Sequence, residues 1–179
     1  MFYSSNYSSP LGLITLASRN DQLVAVWIEG QKYFGDTVNQ PLENKPNLPI
    51  FNCTKKWFDH YFSGKNPAIN QLNLAPIGTP FRHQVWDILC KIPYGEIITY
   101  GDIAKQIAKT NQLASMSSQA VGGAVGRNPI SIIIPCHRVI GSNGSLTGYA
   151  GGIDKKIKLL QLEGVDTHKL TIPTKGTAL

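Results

Sequence analysis

Residues 119–138 read QAVGGAVGRNPISIIIPCHR, and the order of the parts in this stretch decides how the second half of the chain is built. Ser117 or Ser118 caps a short helix from Gln119 to Gly126, and Asn128-Pro129 stops it. The helix shows a face of Ala120, Gly122, Gly123 and Ala124, although each glycine costs about 1 kcal/mol against alanine in a helix. Two demands call for so slim a face: tight packing on another helix, or entry into a minor groove only about 6 Å wide. The apolar run from Ser131 to Ile134 then predicts a short buried strand that ends in Pro135-Cys136-His137-Arg138.

Upstream, Thr79-Pro80 starts a helix with the stripe Phe81, Val85, Ile88 and Leu89, and Pro93-Tyr94-Gly95 ends it. Thr99 caps a second helix, Tyr100 to Ala108, with Ile103, Ala104 and Ile107 inward. After a polar loop, Lys109 to Ser115, the slim helix completes a helix-turn-helix. Downstream, Asn143-Gly144 marks a turn, and Gly148-Tyr149-Ala150-Gly151-Gly152 a mobile or close-approach loop. Asp154 caps the last helix, with Ile153, Ile157 and Leu160 inward, and Gly164 ends it. The first third is different in kind. Gly12–Ala17 and Leu23–Ile28 read as a hairpin, 39–49 as a surface loop, and Ile50, Phe51, Thr54, Trp57, Phe58, Tyr61 and Phe62 recur at helical spacing. The expected division is 1–75, 76–168 and an unstructured tail, 169–179.

The chain has 179 residues, 42% hydrophobic and 16% charged, and lacks any apolar run near the roughly 20 residues that a bilayer demands. With no secretory pattern at the start, a membrane role is excluded and a cytoplasmic location expected. Three cysteines, Cys53, Cys90 and Cys136, are too few and scattered for a disulfide framework, and no CxxC pair points to zinc. Cys53 and Cys90 fall in amphipathic helices and read as packing residues. The net charge is +6, and its distribution is uneven: six basic and five acidic residues up to 75, eleven and six from 76 on. An anionic partner would face the second half.

A cysteine acts as a nucleophile only as its thiolate, so it needs a base or a positive charge nearby. Cys136 has His137 and Arg138 beside it. Adjacent residues of a strand point to opposite faces, so His137 would act on Cys136 through a bridging water. A lone cysteine at a strand end also serves as buried filler. Glu163 is a second clue, because a carboxylate in the last turn of a helix opposes the helix dipole unless a cation or donor offsets it; His137 is a candidate partner, and solvent is the other.

The segments Ile92-Pro93-Tyr94-Gly95-Glu96, Thr99-Tyr100, Ala120-Val121-Gly122-Gly123-Ala124, Asn128-Pro129, Ile134-Pro135-Cys136-His137-Arg138-Val139-Ile140 and Gly148-Tyr149-Ala150-Gly151-Gly152 resemble, in order, the signature of the O6-alkylguanine-DNA alkyltransferases, the methylated-DNA-protein-cysteine methyltransferases. The likeness covers about residues 78 to 164. It implies an α+β fold, with an N-terminal ribonuclease H-like sheet and helix and a mostly helical, winged-helix-like C-terminal part. It further implies a suicide repair protein that moves an alkyl group irreversibly from O6-alkylguanine, and less well from O4-alkylthymine, to Cys136 after flipping the base. His137, held by Glu163, would activate the thiol through water, and Asn128 would brace the turn. Tyr100 would bind N3 of the base and give it a proton. The carbonyls of Cys136 and Val139, the amide of Ala150 and Tyr149 would line the base pocket. Gln119, Ala120, Gly123 and Arg127 would meet double-stranded DNA in its minor groove, without sequence preference. A monomer with no cofactor and no metal is expected. Gln119 stands where the family usually carries an arginine that fills the place of the flipped base, and the loop 109–117 is longer than usual. Ser131 replaces a proline that in some relatives packs on bulky alkyl groups. The alternative is a lesion-recognition protein with weakened or no transfer; a cysteine hydrolase suits adjacent Cys136 and His137 badly, and a sequence-specific regulator suits the side-chain-poor helix badly.

Overall fold

Val24, Val26, Ile14 and Leu16 favour extended backbone, and the expected hairpin forms from β2 (Gly12–Arg19) and β3 (Gln22–Ile28). Ile14 pairs with Ile28 and Leu16 with Val26, antiparallel. The structure, a computed structural model, describes residues 1–173. It adds two strands that the residue pattern does not announce. β1 (Phe2–Ser9) contains four serines and an asparagine, yet pairs along its whole length with β2. β4 (Leu42–Asn44) lies within the expected surface loop and runs parallel to β1, which gives the order β3-β2-β1-β4. Both are held by ladder hydrogen bonds more than by buried side chains. The helix α1 (Pro49–Phe62) buries Ile50, Phe51, Thr54, Trp57, Phe58 and Tyr61, and Phe58 stacks on Tyr7 of β1 at 5.3 Å. Full burial of Phe51 and Phe58 contributes about 1.5–3 kcal/mol each. Cys53, expected to pack, is instead exposed on α1.

Two compact units arise, 1–78 with 129–133, and 79–128 with 134 onward. The segment that returns to the first unit corrects the expected strand. Ile130 bridges Val26 in parallel, and Ser131 N–H donates to Val26 O at 3.1 Å. The chain then turns, with Ile132 at φ 72°, a left-handed conformation that a β-branched residue rarely adopts. All of 130–134 is buried, so the apolar run reported burial and not extension. Ser131, read as a pocket residue, donates its hydroxyl to Gln31 Oε1 at 3.1 Å within the first unit.

The second unit is built on capped helices. In α2 (Pro80–Leu89), Thr79 Oγ1 accepts from Arg82 N–H. In α3 (Tyr100–Thr110), Thr99 and Asp102 form a reciprocal capping box, and Ile103, Ala104 and Ile107 point inward. Ser117 caps α4 (Ser118–Gly126) by accepting from Ala120 N–H. Trp86 Nε1–H donates to Ala124 O at 3.0 Å and so ties α2 to α4. Two short strands, β5 (Ile98–Thr99) and β6 (Val139–Ile140), pair in parallel. The last helix, α5 (Ile153–Leu162), starts at Gly152 without a side-chain cap; Asp154, expected to be the cap, sits in the first turn, where its charge suits the dipole. The helix closes with Gly164 N–H on Gln161 O and Val165 N–H on Leu160 O, the Schellman pattern. Of the expected unstructured tail, the start is tied down: Thr167–Lys169 makes a 3-10 turn, and Leu146 N–H donates to Thr171 O at 2.8 Å. Residues 174–179 lie outside the described residues. Among the described residues, no helix is long and apolar enough to cross a membrane.

Candidate active site

Pro135 ends the buried segment, and Cys136–Arg138 form a single 3-10 turn that leads into β6. Pairing of Val139 with Ile98 and Ile140 with Thr99 holds that turn in register with the start of α3, where Tyr100 is the first helical residue. Because Cys136 and His137 lie on a turn, the alternation expected of a strand does not govern their directions.

Cys136 is buried, at 6% exposure. Asn128 Nδ2–H donates to its sulfur at 3.2 Å and to Ile134 O at 2.8 Å, so one side chain braces the turn and touches the nucleophile. Burial pushes the Cys136 thiol up. Asn128, the Lys156 charge and the backbone N–H groups of Cys136 and His137 pull it down, and burial wins. The resting group is therefore a thiol that a base must deprotonate.

The base is in place. His137 is fully buried, and its Nε2 lies 2.7 Å from Glu163 Oε1. Burial holds the imidazole below its usual 6.5 against the opposing pull of Glu163, so it is neutral. With Glu163 ionised, the proton belongs on Nε2, which makes Nδ1 the basic nitrogen. Glu163 is buried too, the C-cap of α5. Arg138 Nε and Nη2 donate to it at 2.7 and 3.0 Å in a bidentate fork, and Gly95 N–H at 3.2 Å. Burial pushes this carboxyl up, but the hydrogen bonds and charges of His137 and Arg138 outweigh it and hold it well below the usual carboxylate range. Arg138 Nη1 donates to Ile92 O at 2.6 Å. Gly95, at φ 78°, leaves no room for a side chain, since a Cβ would stand 2.8 Å from Glu163 O.

Tyr100 and the loop after β6 meet closely. Tyr100 Oη donates to Thr147 O at 2.9 Å. Gly148, at φ 76°, sits against it: a Cβ would lie 2.6 Å from that oxygen. The loop is thus a close-approach loop. Burial pushes the Tyr100 phenol up to about 12, with Cys136 adding to the shift and the Thr147 hydrogen bond opposing it. Tyr149 is buried and sets its ring edge-on to His137 at 6.5 Å, and Ala150 beyond it is half-buried.

The residues expected to meet DNA lie on α4. Gln119, Ala120 and Gly123 are exposed, and Arg127 is its half-buried C-cap. A Cβ on Gly123 would meet nothing within 4 Å, and one on Gly122 only the Tyr100 ring at 3.8 Å. Tight helix packing therefore does not require these glycines. A cleft of about 720 Å³ runs past Gln119, Gly122 and Gly123 to Tyr100, Thr147 and Gly148. Cys136 is not on its wall.

Residue reasoning missed Lys156. It is fully buried on α5, and its ammonium donates to the carbonyls of Val139 and of Thr147, the latter at 2.8 Å. The available signal was position: Lys156 stands three residues after Ile153 and four before Leu160, on the apolar stripe. Cys90 is half-buried, its thiol pushed up to about 11 chiefly by burial.

Family models match nearly the whole chain. The 6-O-methylguanine DNA methyltransferase ribonuclease-like domain matches residues 2–76, and the DNA binding domain residues 80–165. A methylated-DNA–protein-cysteine methyltransferase of Haemophilus influenzae is 38% identical over 175 residues, covering 98% of this chain and 90% of the relative. One of Methanosarcina acetivorans is 44% identical over 163 residues, covering 90% of this chain and 98% of the relative. Among solved structures, Mycobacterium tuberculosis OGT in complex with DNA aligns with TM-score 0.79 at 36% identity, covering 93% of this chain and 98% of that one. With both domain models in order and relatives this similar across its length, the chain belongs to the 6-O-methylguanine DNA methyltransferase family.

Proposed function

We propose that the protein repairs DNA by direct reversal, taking the alkyl group of O6-alkylguanine, and less readily of O4-alkylthymine, onto Cys136 in one irreversible turnover. The observation that carries this is the buried Cys136 thiol braced by Asn128 beside a neutral His137 that is itself locked by ionised Glu163. The thiol proton passes through a water to His137 Nδ1. The S–C bond forms as the C–O6 bond breaks, and the electron pair stays on the base. Tyr100 gives the base a proton at N3, and the proton taken by His137 makes up that loss, so a thiol and an alkylated base become a thioether and guanine. In this reading Tyr100 must leave Thr147 O to reach the base. A thioether is a poor leaving group, so nothing returns the cysteine.

An alkyl carbon within the base stack is out of line for Cys136, so the nucleotide is flipped out at a cost of a few kcal/mol. The slim face of α4 fits the minor groove of double-stranded DNA, where Ala120 and Gly123 allow close approach, Gln119 faces the vacated space and Arg127 a phosphate. The carbonyls of Cys136 and Val139, the Ala150 amide and Tyr149 bind the flipped base. Contacts to phosphate give affinity without sequence preference. The protein acts as a monomer, and a free thiol that must stay reduced suits the cytoplasm.

The test is intact-protein mass spectrometry with peptide mapping after mixing with excess duplex holding one O6-methylguanine, beside a Cys136→Ala control. One methyl group on Cys136, and none on Cys53 or Cys90, is expected. Lesion binding without a mass change would instead make the protein a recognition protein, with Gln119 the first residue to restore to arginine.

A further inference from the structure

One buried charge has no part in the proton path above. A lysine with no exposed surface is costly, since burial penalises the ammonium form, and Lys156 offsets that cost with two backbone carbonyls. Val139 O opens β6 directly after the Cys136–Arg138 turn. Thr147 O lies one residue before Gly148, and it also accepts from Tyr100 Oη. A single ammonium thus joins the cysteine turn, the Gly148–Tyr149 loop and, through the shared Thr147 carbonyl, the first residue of α3. Cys136 is the ionisable group whose charge acts on it. Joining two carbonyls needs only a donor, which a neutral side chain supplies; a full positive charge has a use where a thiolate must form.

We infer that Lys156 is a positioning residue for alkyl transfer, whose ammonium sets the Val139 and Thr147 carbonyls that frame the base and holds positive charge beside the sulfur as it ionises. The inference rests on the reading of Cys136 as the alkyl acceptor. The Val139 carbonyl has two lone pairs, so it accepts from Lys156 and from the exocyclic amine of guanine together. Tyr100 gives up Thr147 O when it turns to the base, and Lys156 then keeps that carbonyl satisfied and the loop in place.

Lys156 titrates in an accessible range. Burial lowers its ammonium to about 8, with Cys136 acting the other way. The titratable groups around it are Cys136 and His137 on the turn, Tyr149 on the loop and Tyr100 through Thr147, while Glu163 and Arg138 bind His137 and each other. The thiolate–ammonium pair is the working form. It is lost at low pH as the sulfur takes a proton and at high pH as the lysine gives one up.

The experiment is the single-turnover rate of methyl transfer at saturating O6-methylguanine duplex against pH, for wild type, Lys156→Met and Lys156→Arg, with thermal unfolding as the folding control. The wild-type rate should pass through a maximum, with its alkaline fall matching the Lys156 titration seen by carbon NMR of the lysine ε-methylene. Lys156→Met should lose about a hundredfold at the maximum and should lose the alkaline fall. Lys156→Arg, which keeps its charge, should recover part of the rate with no alkaline fall. A folded Lys156→Met with the wild-type rate and profile overturns the inference. So does a wild-type rate that keeps rising while Lys156 deprotonates, a result that needs no variant to fold. A wild type that gains no methyl at any pH overturns the reading of Cys136, and this inference with it.

Discussion

Glu163 shows how much a single side chain can carry. One carboxylate fixes the tautomer of His137, neutralises Arg138 and accepts from Gly95, all without solvent. Removing one partner of such a buried pair leaves the other charge stranded, at a cost of about 3–5 kcal/mol, so Glu163→Ala should destabilise the protein by that amount as well as slow transfer. The same contacts set the pH dependence of stability. His137 is held neutral, below its usual 6.5, and Glu163 ionised, below its usual 4.5. In both cases the unfolded chain binds more protons than the folded one as pH falls. Stability is therefore fully present above 6.5, declines as pH drops through that value, and declines further below 4.5. Urea unfolding across a pH series checks this, and a flat profile over the range would contradict the buried triad.

Two helices with similar capping do different work. α3 is held by its capping box and an inward stripe, which places Tyr100 at the mouth of the cleft. α4 carries glycines that packing does not require, and this gives a sharp expectation. In Gly123→Ala the new methyl enters open space at a helical φ, so the helix should gain up to about 1 kcal/mol. If α4 enters the minor groove, the same methyl should weaken binding to duplex DNA. Thermal unfolding and fluorescence anisotropy on one variant separate the two effects. Stabilisation without loss of affinity would place the groove contact elsewhere.

Over the whole molecule, the basic excess lies in the unit that the DNA binding domain model matches. Affinity for unmodified duplex should fall linearly with the logarithm of salt concentration, with a slope of about −0.9 for each phosphate neutralised, and should vary little among sequences. Anisotropy titrations over a salt series on two unrelated duplexes measure both. A salt-independent affinity would remove the electrostatic account. The first unit, near neutral, contributes a sheet and an aromatic-lined helix rather than charge.

What the residues determined alone is what short-range interactions decide. Thr79, Thr99 and Ser117 bond to amides three residues on, so the helix starts are written locally, and the hairpin of β2 and β3 needs only its own turn. The Pro135–Arg138 motif, Glu163 and the α4 face were equally visible, as candidates. Tertiary structure decided the rest. β1 was hidden because ladder bonds, not an apolar alternation, hold it. The run 131–134 turns because Ile130 alone finds a strand partner there. His137 and Arg138 meet Glu163 across 26 and 25 residues, and Arg138 meets Ile92 across 46, separations that no local pattern spans. Lys156 is the clearest case: its sequence neighbours mark it as a solvated charge, and only the fold supplies the two distant carbonyls that let an ammonium be buried beside a thiol.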